Sequence, residues 1–344
     1  MPRTFSLPVP DDYDLPRDYC SYGYFLLRPS HWDVKAKVLT RAFAIDRVPF
    51  AVRVSQNGPG AKLSVESTRS LSAKSRSTVE GWLTRMLRLD EPASAIAEFH
   101  RLDPRWKASG RGRLMRSPTM FEDVIKTVTS CNVTWPSTVQ MNRRLCEVLG
   151  PAPGSKGDET TIPCPFPDEA RLAATRAQTL RARCRVGYRD QRIVELARLF
   201  RKGAVKPAWF EDPTTPDDDV FEALVELPGI GPYAAANIMQ LLGRYSRLPL
   251  DTESVRHGTT VLGMKGSPAQ VMKLVHDHYA PFGLHAFRSY WFELWAFYES
   301  KHGPAHTCGV SLGASIPSGK AVTPPCADAA ACAAQAPGPW KSVR

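Results

Sequence analysis

Asp251 is the carboxylate whose sequence surroundings most clearly suggest chemistry. It comes twenty residues after Gly231, the last residue of the turn Leu227-Pro228-Gly229-Ile230-Gly231. Glycines let a turn approach another molecule closely, and the N–H groups at the start of the following helix favour an anion such as phosphate. A carboxylate held beside a nucleic-acid backbone could stabilise positive charge on a sugar or activate a water molecule. Aspartate is also a common N-cap, and the two roles can coexist.

Two helical patterns flank this turn. The first begins with Asp217 to Asp219, which favour the positive end of a helix dipole. The second opens with Pro232, whose missing N–H costs nothing at the first helical position, and it stops at Gly243. The pattern predicts a helix-hairpin-helix that binds a nucleic-acid backbone through Leu227, Gly229, Ile230 and Gly231. The alternative is an ordinary corner between two helices.

Composition and charge narrow the function classes. The 344 residues carry a net charge of +11, and 43% of them are hydrophobic, which is typical of a globular protein with a polyanionic partner. We find no apolar run of about 18 residues that could span a membrane, and no apolar signal segment at the N-terminus. We therefore expect a protein of the cytoplasm (the nucleoid) or the nucleus, not secreted and not membrane-bound. We also expect a monomer.

The eight cysteines are scattered and form no CxxC pair. The last three, Cys308, Cys326 and Cys332, lack the fourth thiolate that an iron–sulfur cluster needs. We expect a reducing compartment, no metal and no iron–sulfur cluster.

Hydrophobic periodicity divides the chain into four parts. We expect an irregular segment over 1–18, an N-terminal α+β domain over 19–112, a helical region over 113–302 and a disordered tail over 303–344. Strands are predicted at 22–27, 39–45, 50–55 and 62–67, the last two joined by the Asn57-Gly58-Pro59-Gly60 turn. Helices are predicted at 77–89 and 93–102 and in nine further segments, at 118–131, 137–149, 168–184, 188–202, 218–226, 232–242, 252–262, 268–279 and 286–300. The fold class is mainly α with an N-terminal α+β domain.

The hairpin, the small-residue helix after it and the aspartate together resemble the helix-hairpin-helix (HhH-GPD) DNA glycosylases. Residues 113–150 and 166–189 are similar to helices of the oxoguanine glycosylases. Residues 19–102 fit the N-terminal domain that the oxoguanine and alkylpurine branches share. The resemblance covers about residues 19–300. It implies a helical bundle with a small antiparallel-sheet domain, and a partner that is double-stranded DNA containing a damaged base.

Some functional roles follow from the resemblance. Asp251 matches the catalytic aspartate. Asn132 matches an asparagine that fills the gap left by a flipped base, and Tyr188 and Arg189 match an aromatic wedge and an arginine that read the opposite base. Flipping costs a few kcal/mol of stacking, part of which an inserted ring recovers. The alternative interpretations have no role in DNA binding: Asn132 would be a polar residue at the end of a helix, and Tyr188 and Arg189 would pack on the surface.

Tyr233 departs from the bifunctional members, which carry a Schiff-base lysine at this position. A phenol cannot form a Schiff base, so the resemblance implies a monofunctional glycosylase that leaves an abasic site. Ser137 and Glu253 stand where oxoguanine enzymes place a second arginine and a phosphate-binding histidine. These two departures support one alternative, a non-catalytic damage-sensing DNA binder. The other alternative is a bifunctional enzyme that uses a different amine.

The aromatic segment around Arg288-Ser289-Tyr290 resembles an element of the alkylpurine branch. Tyr290 and Trp291 could line a base pocket, because base–aromatic stacking contributes roughly 1–3 kcal/mol per base. Core packing is the alternative for both rings. The sequence leaves the excised lesion open. It predicts no cofactor, apart from the alternative of a monovalent or divalent cation that bridges hairpin carbonyls and a DNA phosphate.

Overall fold

A five-stranded antiparallel sheet forms the N-terminal part of the computed structural model, which describes residues 3–152 and 164–307. The strand order is β1-β5-β4-β3-β2. The strands are β1 (Thr4–Leu7), β2 (Ser30–Asp33), β3 (Val38–Ile45), β4 (Val48–Gln56) and β5 (Leu63–Ser67). Three of the four predicted strands match β3, β4 and β5, and the predicted glycine turn joins β4 to β5.

Two other predictions for the first seventy residues are wrong. Residues 22–27 form a 3-10 turn over Gly23–Leu26 instead of a strand. This run is apolar throughout, and periodicity alone cannot assign such a run. Residues 3–18, the described part of the predicted irregular segment, are not irregular, because β1 pairs with β5 and a short helix α1 (Leu15–Tyr19) follows. The Asp14 side chain caps α1 by accepting a hydrogen bond from the Arg17 N–H at 3.3 Å.

Helices make up most of the rest of the described chain, so the predicted fold class is confirmed. The predicted helix over 168–184 is broken into short pieces that end in a π-helical turn at Leu180–Cys184. The helices are α2 (Ala73–Leu87), α3 (Ala93–Leu102), α4 (Met120–Ser130), α5 (Trp135–Leu149), α6 (Glu169–Ala173), α7 (Ala177–Thr179), α8 (Asp190–Arg201), α9 (Pro207–Glu211), α10 (Asp217–Val225), α11 (Pro232–Leu241), α12 (Thr252–Thr260), α13 (Pro268–Tyr279) and α14 (Ala286–His302).

Two hydrophobic cores organise these elements. The first core joins the sheet and α1–α3 to the C-terminal helices α13 and α14, through residues such as Phe50, Leu83 and Phe287. The second core lies among α4 to α11 and includes Val124 and Ile238. The chain therefore returns to its first core after α11. The first core thus contains residues from both sides of the predicted domain boundary at residue 112.

The predicted tail falls mostly outside the described residues. Residues 303–307 are described, and they include a 3-10 turn at Ala305–Thr307. The Trp32 indole N–H of β2 donates to the carbonyl of His306 at 2.8 Å, so this short stretch packs on the sheet. Cys308, Cys326 and Cys332 also lie outside the described residues. No helix within residues 3–152 and 164–307 is long and apolar enough to cross a membrane.

A buried ion cluster connects the sheet to the second core. The Arg41 guanidinium of β3 donates to both carboxylate oxygens of Glu122 on α4, at 2.9 and 2.7 Å. The Lys126 ammonium, one helical turn along α4, lies 2.6 Å from the same carboxylate. All three side chains are buried. Burial raises the pKa of Glu122, but the two cations outweigh it and hold that pKa below its ordinary value.

We predict that Glu122→Ala destabilises the protein by about 3–5 kcal/mol, because it leaves two buried cations without their anion. Denaturant unfolding at neutral pH measures the loss. Glu80→Ala is the control, since Glu80 forms a largely exposed pair with Arg76 at 2.8 Å and should change stability by at most about 0.5 kcal/mol. Similar small losses in both variants would contradict the structural importance of the cluster.

Candidate active site

A cavity of about 680 Å³ has walls that come from both cores. Its lining includes the turn after α1, the segment from the end of α4 into α5, the hairpin turn and the starts of α11 and α12. The structure brings eight of the predicted site residues together around this cavity: Asn132, Tyr188, Arg189, Gly229, Gly231, Tyr233, Asp251 and Trp291.

Asp251 is the N-cap of α12 and also lines the cavity. Its Oδ1 accepts hydrogen bonds from the N–H groups of Glu253 at 2.9 Å and Ser254 at 3.0 Å. In return, the Ser254 hydroxyl accepts from the Asp251 N–H at 3.2 Å, which completes a capping box. The predicted capping role of Asp251 is confirmed, and the cap fixes the carboxylate at the cavity wall.

The surroundings of Asp251 place its ionisation within reach of physiological pH. Burial and the nearby charge of Glu253 raise its pKa, whereas the α12 N–H groups and the phenol of Tyr233 lower it, and the result is a pKa of about 6. Asp251 is therefore mostly ionised at neutral pH and becomes protonated in mildly acidic solution. A carboxylate with this balance can act as an anion or accept a proton.

Glu253 does not present a free negative charge to the cavity. Both of its carboxylate oxygens accept from the Arg256 guanidinium, with Nε distances of 3.0 Å. The Tyr298 hydroxyl also donates to this carboxylate at 2.5 Å. A carboxylate at this position would repel a phosphate, but the positive charge of Arg256 offsets part of that repulsion.

Tyr233 lies in the first turn of α11 and faces Asp251. Burial and then the negative charge of Asp251 raise the pKa of this phenol well above its ordinary value, so the ring stays neutral. None of the cavity-lining residues within the described ranges is a lysine or a histidine. Those ranges also contain no group of three or more His, Cys, Asp or Glu side chains placed to hold a metal ion.

The hairpin turn exposes its glycines and buries Ile230. The Ile230 N–H donates to the Leu227 carbonyl at 3.0 Å, and both side chains pack on the second core. Gly229 adopts φ +76°, and a β-carbon there would lie 2.4 Å from Cδ of Arg192. The turn therefore requires glycine at this position, and only the backbone of Ile230 remains available to a ligand.

Asn132, Tyr188 and Arg189 form one cluster at the cavity rim. Asn132 adopts a left-handed backbone conformation with φ +53°, and its side-chain amide donates to the Tyr188 hydroxyl at 3.2 Å. The ring of Tyr188 is 50% exposed. This arrangement is compatible with the predicted insertion into a gap in DNA, a role that stays a prediction.

Arg189 acts as an internal brace in this cluster. Its side chain is 4% exposed and donates to the carbonyls of Val186, Cys131 and Asn132. Its guanidinium also lies 4.4 Å from the centre of the Tyr188 ring. The predicted base-reading role of Arg189 would require some of these bonds to break.

Of the two aromatic residues predicted to line a base pocket, one lines the cavity and the other does not. Trp291 lines the cavity, where it stacks on Trp295 at 5.3 Å and lies 4.8 Å from Tyr22 between ring centres. Tyr290 is 3% exposed and does not line the cavity, so its predicted pocket role is wrong. Its hydroxyl instead lies 3.1 Å from the Ser254 hydroxyl. Adjacent residues on a helix point in different directions, which explains the split.

No protein-family model matches the sequence, and no curated protein matches it. Solved structures resemble the chain over 85% of its length. MBOgg1, in complex with a low-affinity DNA ligand, has a TM-score of 0.63 at 18% identity over 95% of its own chain. The 3-methyladenine DNA glycosylase of Archaeoglobus fulgidus has a TM-score of 0.63 at 16% identity over 98% of its own chain. The apo 8-oxoguanine glycosylase/lyase of Clostridium acetobutylicum has a TM-score of 0.62 at 15% identity over 95% of its own chain. This chain has the DNA glycosylase fold.

Within this DNA glycosylase fold, sequence reasoning missed several cavity residues. Arg192 is exposed, lines the cavity beside Gly229 and lies 5.3 Å from the Tyr188 ring centre. The predicted helix over 188–202 places Arg192 four residues after Tyr188, a spacing that could have revealed it. Tyr22 falls in the predicted strand over 22–27, which hides its place in the cavity wall. Asn237 follows Tyr233 by one turn on α11, a spacing that also signals a shared face.

We predict that Arg189→Met loosens the cavity rim, because three carbonyls lose a donor. Hydrogen–deuterium exchange over residues 130–134 and 186–189 should become roughly 5- to 150-fold faster, as expected for the loss of about 1–3 kcal/mol of local stability. Arg192→Met is the control, since it removes an exposed guanidinium from the same ring. If the two variants exchange alike, Arg189 is not a brace.

Proposed function

We propose that this protein is a monofunctional DNA glycosylase, which flips a damaged base from duplex DNA and hydrolyses its N-glycosidic bond to leave an abasic site. The observation that carries the proposal is Asp251, a capped and half-buried carboxylate in a cavity next to the hairpin turn. The DNA glycosylase fold supports it, since the proteins of similar structure are named for 3-methyladenine and 8-oxoguanine.

The chemistry assigned to Asp251 follows from its geometry. Cleavage of an N-glycosidic bond builds positive charge on the sugar, as glycoside hydrolysis does. An ionised carboxylate beside that sugar stabilises the charge or takes a proton from the attacking water. Both α12 N–H groups bind Oδ1, so we assign Oδ2 to the sugar or the water. The anion is already oriented before the substrate arrives.

The cavity lining favours a base that departs easily. Tyr22, Trp291 and Trp295 offer aromatic faces on which a flipped base can stack. Among the described lining residues, no lysine or histidine is available to protonate a departing base, and the Tyr233 phenol holds its proton tightly. A cationic alkylated purine already carries the charge that its departure requires. We therefore propose this lesion class ahead of neutral oxidised purines.

Asp251→Asn should lower base release by roughly 10²–10³-fold, because the amide carries no charge to stabilise the sugar cation. Asparagine is as good an N-cap as aspartate, so folding and DNA binding should persist. Single-turnover base release from a panel of duplexes, each with one cationic alkylated or neutral oxidised base, measures both rate and lesion class.

Asp168→Asn is the matched control for this substitution. Asp168 caps α6 by accepting from the Arg171 N–H at 2.7 Å and does not line the cavity, so the rate should not change. Near-normal release by Asp251→Asn would refute the mechanism. Salt-sensitive binding without release from any lesion would favour the non-catalytic DNA binder, and each neutralised phosphate contributes about −0.9 to the log–log salt slope.

Tyr233→Lys should add lyase activity. The new amine would stand beside Asp251 and could attack the sugar to form a Schiff base, which a phenol cannot do. Borohydride should trap a covalent complex between this variant and lesion-containing DNA, and strand cleavage should accompany base release. Tyr188→Lys, which places an amine at the cavity rim, serves as the control and should not be trapped. An adduct with the unmodified protein would instead support the alternative of a bifunctional enzyme with another amine.

A further inference from the structure

Tyr290 and Ser254 lie directly behind Asp251, on the side away from the cavity. Both side chains are buried, with exposures of 3% and 0%. The Tyr290 hydroxyl is 3.1 Å from Ser254 Oγ, and Ser254 Oγ is 3.4 Å from Oδ1 of Asp251. Three oxygens therefore form a continuous line from α14 through α12 to the carboxylate.

The ionisation of Asp251 fixes the direction of these hydrogen bonds. A serine hydroxyl has one hydrogen and two lone pairs, and Ser254 Oγ already accepts from the Asp251 N–H. An ionised carboxylate can only accept. If the Ser254 hydrogen pointed to Tyr290, two acceptor oxygens would face each other at 3.4 Å. With Asp251 ionised, Ser254 therefore donates to Asp251, and Tyr290 donates to Ser254.

We propose that Tyr290 and Ser254 are positioning residues that hold Asp251 in its anionic, cavity-facing state through the chain Tyr290 to Ser254 to Asp251. The inference rests on the proposed function, in which Asp251 is the reacting carboxylate. It gives Tyr290 a role in the site without contact with the base. The hydroxyl matters because a phenylalanine ring of the same shape could pack in its place but could not donate.

Other groups also face Asp251, and their effects have to be separated from the chain. Two effects oppose ionisation, namely burial and the charge of Glu253, which Arg256 partly offsets. The ionisable groups near Asp251 are Tyr22 after α1, Cys131 after α4, Tyr233 on α11, Glu253 on α12 and Tyr290 on α14. Substitutions that remove one hydroxyl and no charge are therefore the cleanest test.

The test follows the titration of Asp251 in the free protein. Aspartate labelled with ¹³C at the carboxyl carbon gives a resonance that Asp251→Asn identifies by its loss. Removal of a donor disfavours the anion, so the pKa of Asp251 should rise by about one unit in Ser254→Ala and about half a unit in Tyr290→Phe. Adding Tyr290→Phe to Ser254→Ala should cause no further rise, because the link to Asp251 is already missing.

Tyr279→Phe is the matched control. Tyr279 is also buried and contacts the Tyr290 ring, but its hydroxyl bonds to His257 at 2.8 Å and Glu293 at 2.5 Å. This variant should leave the Asp251 titration unchanged even if it lowers stability. An equal shift in Tyr279→Phe and Tyr290→Phe, or no shift in Tyr290→Phe, would overturn the inference.

Base release then separates the inference from the proposed function. The rate should fall below the pKa of Asp251, and this acid limb should move to higher pH in Ser254→Ala and Tyr290→Phe, with little change at pH 8. A shifted titration in a protein that releases no lesion supports the chain and contradicts the glycosylase. Normal release with an unmoved titration and an unmoved acid limb contradicts the chain alone.

Discussion

The cap that α12 provides to Asp251 is the interaction on which the site depends. A carboxylate in a half-buried wall loses hydration, and that loss favours protonation. Two backbone N–H groups and the positive end of α12 offset part of this effect and hold Oδ1 in one place. The same contacts thus set the position and the charge of the group. The cavity, the hairpin and the aromatic wall can contribute to the proposed reaction because this anion is fixed relative to them.

Fixing Asp251 also requires the two cores to keep one relative arrangement, since α11 belongs to the second core and α14 to the first. Buried ion pairs supply this constraint. Glu122 connects β3 to α4, and Arg85 of α2 reaches Asp123 of α4 at 2.8 Å and Glu211 of α9 at 2.5 Å. Such pairs contribute little net stability compared with apolar packing, but a mispaired arrangement would leave charges buried and alone. They therefore select one geometry for a cavity whose walls come from both sides.

Local signals explain which parts of the molecule were predictable from sequence. The helix starts at Pro232 and Pro268 match the prediction, because proline, glycine and capping residues act within one or two turns. The Asp251 cap is equally local. The 3-10 turn at Gly23–Leu26, the pairing of β1 with β5 and the brace formed by Arg189 all depend on partners that are distant in sequence. Helix geometry separates Tyr290 from Trp291, but which of the two rings faces the cavity depends on distant neighbours such as Ser254, 36 residues from Tyr290.

The proposed reaction uses the ionised form of Asp251, whereas the folded protein is stabilised more by the protonated form. Its pKa rises from an ordinary 3.8 to about 6 in the folded protein, so the folded chain binds this proton more tightly than the unfolded chain does. The resulting stability is complete below pH 4 and is lost as the pH rises toward 6. At neutral pH the ionised Asp251 therefore lowers the free energy of unfolding. Every hydrogen-bond donor that reaches the carboxylate reduces this loss of stability. The capping N–H groups, the Tyr233 phenol and the Ser254 hydroxyl thus serve the fold and the proposed reaction by one physical effect.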